Sequence, residues 1–160
     1  MCELRALRVL PLSTTSEGGS VHQSRTATGT QNVRRAVDPS YPLVEFSLPP
    51  DPTYVRLARL AAGDMAERAG FCVDELDDVR LAVDEVCAIL ISAAGRVLEL
   101  RMQAHWGSLI IEGRTRDARA AVVPSELPEV LLRALVDSCT FESSEHETSV
   151  VMRKQARDIP

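Results

Sequence analysis

The stretch from Asp74 to Gly95 constrains the fold most, because its apolar residues repeat at the spacing of one helix face. Asp74 begins the pattern, Asp77 lies three residues on as in a capping box, and Gly95 suits a left-handed C-terminal cap. The repeat predicts a helix with six core residues: Leu76, Val79, Val83, Val86, Leu90 and Ala93. A helix with this apolar face must pack against a second layer.

The segment before this helix predicts a strand and another helix. Apolar residues alternate with polar ones over Val44–Leu48, which is the period of a half-buried strand. Asp51 then suits an N-cap and Pro52 the first helical position. The helix to Gly70 is predicted to face inward through Leu57, Ala61, Met65 and Ala69.

The segment after it predicts a hairpin, a third helix and two closing strands. The alternation from Leu98 to Ala104 is followed by the short connection His105-Trp106-Gly107 and a second strand from Leu109 to Thr115. Ser125 suits the cap of a helix that reaches about Asp137. Its inward residues are predicted to be Leu127, Leu131, Ala134 and Leu135. The order β-α-α-β-β-α-β-β predicts a two-layer α+β sandwich.

Composition predicts one folded domain, residues 41–156, after a disordered extension, residues 1–40, which is rich in Ser, Thr and Gly. Residues 1–37 carry a net charge of +3 and residues 38–160 a net charge of −8. An acidic domain argues against direct nucleic-acid binding. The four cysteines form no C-x-x-C pair and no metal-ligand spacing, and Cys87 suits a buried structural position. Without a membrane span or signal-peptide pattern, the expected location is the cytoplasm.

From Leu43 to about Lys154 the chain resembles the anti-sigma factors of the RsbW type, which are serine-protein kinases of the GHKL, histidine-kinase-like ATPase superfamily. The resemblance is carried by "SLPPDPTYVRLARLAAGDMAERAG", "DELDDVRLAVDEVCAILISAA", "LPEVLLRALVD" and "TSVVMRK". It is most specific at "DDVRLAVDEV", where the family typically reads L-A-V-x-E-x-x-x-N. It implies a Bergerat-type fold, with a mixed, mostly antiparallel sheet covered by helices on one face, and a role in transcription regulation.

The family's kinase helix carries a general-base carboxylate and, four residues on, an amide that holds Mg²⁺ beside the phosphates of ATP. By resemblance the carboxylate is Glu85 and the amide position is Ile89, which has no oxygen to offer a hard cation. Glu85 is therefore either a retained catalytic and cofactor-binding residue or a solvated remnant. No residue of this chain is assigned as a metal ligand.

Two glycine-rich nucleotide motifs also depart from the family pattern. The adenine-binding Asp of D-x-G-x-G falls at about Thr115, or at Asp117 after a small shift of the alignment, and no glycine follows Asp117. The phosphate-binding turn corresponds to "SELPEV", where Pro128 has no N–H to donate and Glu126 and Glu129 repel phosphate. ATP and Mg²⁺ are the cofactors implied by the resemblance, with their use weak or lost.

The implied partners are a sigma factor, an anti-anti-sigma factor and a second copy of the chain. Arg56 matches a position from which the family contacts its sigma factor, and Tyr54 and Arg59 lie beside it. These three are the candidate partner-binding residues. In the alternative interpretation the arginines are a solvated face and Tyr54 covers the core edge. The preferred function is a sequestering anti-sigma factor under anti-anti-sigma control, and the alternative is an active serine-protein kinase that phosphorylates the anti-anti-sigma factor.

Overall fold

The described residues form three α-helices and five strands in the predicted order. The computed structural model describes residues 38, 40–93, 95–117, 126–144 and 146–157. Ser125 and all but Asp38 and Ser40 of the predicted extension lie outside these ranges. The elements are β1 (Leu43–Leu48), a 3-10 turn (Pro52–Tyr54), α1 (Val55–Arg68), α2 (Val73–Ser92), β2 (Leu98–His105), β3 (Ser108–Arg116), α3 (Glu126–Leu135), β4 (Ser138–Ser143) and β5 (Glu147–Gln155).

The five strands form one sheet in the order β1-β2-β3-β5-β4. Leu100 pairs with Phe46 on one side and with Gly113 on the other, and Gly113 pairs with Val150. All four described pairs are antiparallel, so the part of the sheet described here lacks the parallel pair of a mixed sheet. The helices cover the face that carries the buried strand residues, and the α+β two-layer fold is confirmed.

Helix α2 supplies the centre of the core. All six of its predicted core residues are buried. On α1 the prediction was wrong for Leu57, which is 47% exposed, because each step of four residues rotates the position by roughly 40° and carries a strict row away from the core. The buried side of α1 instead consists of Ala58, Ala62, Gly63, Met65 and Ala66, followed by Ala69 just after the helix.

The ends of α2 differ from the prediction. The helix starts at Val73, and the capping box joins Cys72 to Glu75, whose Oε2 accepts from Cys72 N at 2.8 Å. Gly95 does not adopt a positive φ. A Cβ at Gly95 would lie 1.8 Å from Oγ1 of Thr115, so the glycine permits the close approach of the chain to β3.

Helix α3 packs through a different side from the one predicted. Leu132 is buried while Ala134 is exposed, and Leu131 and Leu135 are partly buried. The side chain of Leu127 lies outside the described residues. Among the described helices none has the length and apolar character needed to cross a membrane.

Candidate functional site

Glu85 and Ile89 lie one turn apart on α2, as their spacing predicts. Glu85 is half-buried and has no hydrogen bond or ion pair among the residues that the structure describes. Ile89 is 6% exposed and belongs to the hydrophobic core. The position where the resemblance expects a metal-binding amide is therefore part of an apolar wall.

Ile89 lines a cavity between α2, α3 and the last two strands, which we call the α3 cavity. Its volume is about 370 Å³. Most of its lining is apolar, and its charged groups are Glu129 and Arg133, which form an ion pair of 2.5 Å along α3. The lining residues are Ile89, Glu129, Leu132, Arg133, Cys139, Thr140, Phe141 and Val150.

This cavity does not fit a magnesium-bound triphosphate. Glu129 is the one carboxylate among the described residues of its lining, and Arg133 already neutralises it. Pro128, the third residue of α3, offers no N–H to a phosphate. Within the described ranges no three His, Cys, Asp or Glu side chains are grouped to hold a metal ion. The described residues provide neither a cation site nor a phosphate cradle here.

The end of β3 holds the two candidate adenine positions. Thr115 is fully buried between Leu98 on β2 and Thr148 on β5, and its Oγ1 has no hydrogen-bond partner among the described residues. Asp117 follows the strand, is exposed and has φ 54°, a left-handed conformation that aspartate tolerates better than most residues. The two candidates therefore differ in environment, and the carboxylate of Asp117 is the one that solvent can reach.

A second concave surface lies between the two long helices, and we call it the α1–α2 groove. Its volume is about 610 Å³. The structure brings Arg56 and Arg59 together here, whereas Tyr54, 42% exposed, lies in the turn before α1 and does not line the groove. The lining residues are Arg56, Arg59, Leu60, Asp77, Arg80, Leu81 and Asp84.

The charges of the groove are mostly paired within the chain. Arg59 Nη1 lies 3.0 Å from Asp84 Oδ2, and Arg80 Nη1 lies 2.8 Å from Asp77 Oδ1. Arg56 has no such partner within the described part of the chain. A Cβ at Gly63 would lie 3.1 Å from Arg80 Nε, so a glycine leaves room for this arginine over α1. The groove therefore presents a net positive charge in an acidic domain.

Sequence reasoning missed the apolar part of this groove. Leu60 is 60% exposed and Leu81 is 42% exposed, and both line it. The helical periodicity could have revealed these leucines, because each lies outside the stripe of buried residues on its own helix. The ion-pair partners Asp77 and Asp84 were also missed. The Arg59–Asp84 pair depends on how α1 and α2 pack, whereas Asp77 lies three residues before Arg80 on α2, a spacing that the sequence does show.

Comparisons with known proteins agree with this fold. Residues 48–154 match the model of the histidine kinase-like ATPase domain. A 44-residue segment is 39% identical to the serine-protein kinase RsbW of Bacillus subtilis, and a 44-residue segment is 36% identical to that of Bacillus velezensis. Each alignment covers 28% of this chain and 28% of the relative, so the chain matches less than a third of these relatives' length.

A solved structure shows the same fold. The RsbU and RsbW domains of Rv1364c from Mycobacterium tuberculosis superpose with a TM-score of 0.55 at 15% sequence identity. The match covers 74% of this chain and 35% of that chain. The family model spans most of the folded region and includes α1, α2 and the whole of β2 and β3. The chain belongs to the histidine kinase-like ATPase domain family.

Proposed function

We propose that this chain is an anti-sigma regulatory factor that sequesters a sigma factor by direct contact, is controlled by an anti-anti-sigma partner, and has weak or lost ATP use. The observation that carries the proposal is the α1–α2 groove, where exposed leucines lie among arginines. Sequestration requires a complementary surface, whereas phosphoryl transfer requires a held cation and phosphates.

The chemistry of the groove suits an acidic, amphipathic segment of a partner. Arg56 offers a guanidinium that has no ion-pair partner among the described residues, which favours a carboxylate opposite it. Leu60 and Leu81 offer apolar area that a partner would remove from water. The Arg59–Asp84 pair joins α1 to α2 and so holds both walls of the groove in place.

The α3 cavity supports the part of the proposal that concerns weak or lost ATP use. Ile89 stands where the resemblance expects an amide, and most of its neighbours in the cavity lining are apolar or already ion-paired. Transfer of a phosphoryl group without a well-held Mg²⁺ loses most of its charge stabilisation. The relatives are named serine-protein kinases, and the described residues of this chain favour binding over that chemistry.

The test is binding to the sigma factors of the source organism, purified one by one, with and without Mg·ATP. We expect one sigma factor to bind in the absence of nucleotide. Arg56→Glu should weaken this binding at least about tenfold, roughly 1.4 kcal/mol. Arg68→Glu is the matched control, because Arg68 lies on α1 outside the groove and pairs with Asp64. Absence of binding to every sigma factor would overturn the proposal.

The alternative function is an active serine-protein kinase that phosphorylates an anti-anti-sigma factor. It is favoured by Glu85, which keeps a half-exposed carboxylate without an internal partner among the described residues. Incubation with Mg·ATP and a candidate anti-anti-sigma factor separates the two functions. Phosphate transfer that Glu85→Ala abolishes would establish the kinase, and no transfer supports sequestration alone.

A homodimer is part of the proposal. Leu57 is 47% exposed on α1 outside the groove, and Val44 is 41% exposed on the edge strand β1. Exposed apolar side chains on an edge strand and on a helix suit contact with a second copy. Sedimentation equilibrium should show a dimer that Leu57→Glu dissociates and that Glu67→Gln, on the same helix, leaves intact.

A further inference from the structure

We infer that the α3 cavity is a binding site for a small, uncharged, mainly apolar molecule about the size of a fused two-ring compound. This site lies between α2, α3, β4 and β5, and none of its described lining residues also lines the α1–α2 groove. The inference therefore goes beyond the proposed function and does not depend on it.

The size of the cavity sets the class of ligand. Its volume of about 370 Å³ falls within the ~300–1,000 Å³ range of ligand pockets. An apolar protein cavity of ~150 Å³ already binds benzene. The α3 cavity therefore has room for a larger rigid ring system and remains too small for a nucleoside triphosphate to be enclosed.

The walls favour an apolar body. Ile89, Leu132 and Val150 are buried, and Phe141 adds an aromatic face from β4. These side chains come from four different elements, so they form a concave wall and not a stripe on one helix. Removal of an apolar ligand from water onto such a wall is favourable at about 25 cal/mol per Å² of buried area.

The polar groups of the site exclude a charged ligand. Glu129 and Arg133 lie one turn apart on α3 and neutralise each other. Burial, with a further effect of Glu129, raises the pKa of the Cys139 thiol, which therefore stays protonated and neutral. Among the described lining residues no net charge remains to hold a phosphate or a carboxylate, and burial of an unpaired charge is costly. The hydroxyl of Thr140, on the exposed side, suits one hydrogen bond to the ligand.

Cys139 provides a reporter for the test because it lines the cavity. The full-length chain is alkylated with iodoacetamide in the presence of 2-naphthol, and each cysteine is followed by mass spectrometry. We expect 2-naphthol to slow alkylation of Cys139 at least about fivefold near saturation, and 2-naphthoate and Mg·ATP to leave it unchanged. Cys72 is the internal control, since it is exposed and lies about 25 Å from Ile89 along α2.

Variants locate the binding within the molecule. Ile89→Asn should weaken the binding of 2-naphthol at least about tenfold, because it places an amide in the apolar wall. Ile91→Asn lies outside the lining and should leave the affinity unchanged. If circular dichroism shows that Ile89→Asn does not fold, Thr140→Trp is the second variant. It should block the entry of 2-naphthol from the exposed side of the cavity. No protection of Cys139 by 2-naphthol, equal protection by 2-naphthoate, or protection that survives Ile89→Asn or Thr140→Trp would overturn the inference.

Discussion

Nζ of Lys154 lies 3.0 Å from Oδ2 of Asp78 and donates a second hydrogen bond, of 2.6 Å, to the carbonyl oxygen of Leu135. Lys154 is the only lysine in the chain, and it is 5% exposed. Its ammonium therefore joins β5 to α2 and to the last turn of α3, where a positive charge is also favoured by the helix dipole. One side chain thus holds α2, α3 and β5 together.

Substitution Lys154→Met should lower the free energy of unfolding by about 2 kcal/mol, because Asp78 and the Leu135 carbonyl lose their donor. Urea unfolding followed by circular dichroism measures this. The double variant Lys154→Met/Asp78→Asn should recover part of the loss, since the unpaired carboxylate is then removed. A single-variant loss below about 0.5 kcal/mol would contradict the role of this contact.

Stability should depend on pH through Glu75. Burial raises the pKa of this carboxyl, but hydrogen bonds from the backbone N–H groups of Arg157 and Cys72 outweigh burial and hold the pKa below its ordinary value of 4.5. A lowered pKa stabilises the fold above pH 4.5, and the contribution is lost as the pH falls through the folded-state pKa.

The measurement compares Glu75→Gln with the unmodified chain by urea unfolding across the acidic range. The variant should be less stable at neutral pH, and the difference should shrink as the pH falls below 4.5. Glu67→Gln, at an exposed position on α1, is the matched control and should change stability little. A difference that stays constant from neutral to acidic pH would show that Glu75 does not act through its charge.

Gly95→Ala should destabilise the fold by at least about 2 kcal/mol, because its Cβ would meet Thr115 Oγ1 at 1.8 Å and the Arg116 carbonyl oxygen at 2.7 Å. Gly63→Ala is the matched control. There the Cβ meets only the flexible end of Arg80, at 3.1 Å, and alanine gains helix propensity of up to about 1 kcal/mol. Thermal unfolding measures both, and equal melting temperatures for the two variants would refute the close approach at Gly95.

The Cys87 thiol should resist alkylation in the native state. Burial, with a smaller effect of Asp84, raises its pKa to about 12, so very little of the reactive thiolate exists at neutral pH. Iodoacetamide should modify Cys87 at least about 100-fold more slowly in buffer than in concentrated urea. Rapid modification in buffer would show that the region around α2 opens readily.

The ends and orientations of the helices show where prediction from sequence was incomplete. All six residues predicted for the core of α2 are buried, because they follow the helical period closely, although Ala82 and Ile89 are buried as well and were not among them. The spacing of four residues on α1 gave a wrong prediction for Leu57. The buried side of α1 consists largely of small alanines, and its leucines are exposed. A helix cap depends on single local contacts. The predicted capping box of α2 used Asp77, whereas Glu75 accepts the hydrogen bond from Cys72 N.

The sequence by itself determined the order of the elements, the predicted core residues of α2 and the presence at position 89 of an isoleucine, which has no oxygen to offer a metal ion, because each of these depends on residue type and on spacing within a few turns. Only the tertiary structure decided that Arg59 pairs with Asp84 and that β4 closes a cavity over Ile89. These contacts join positions far apart in the chain, and the packing of helices on the twisted sheet sets their distances.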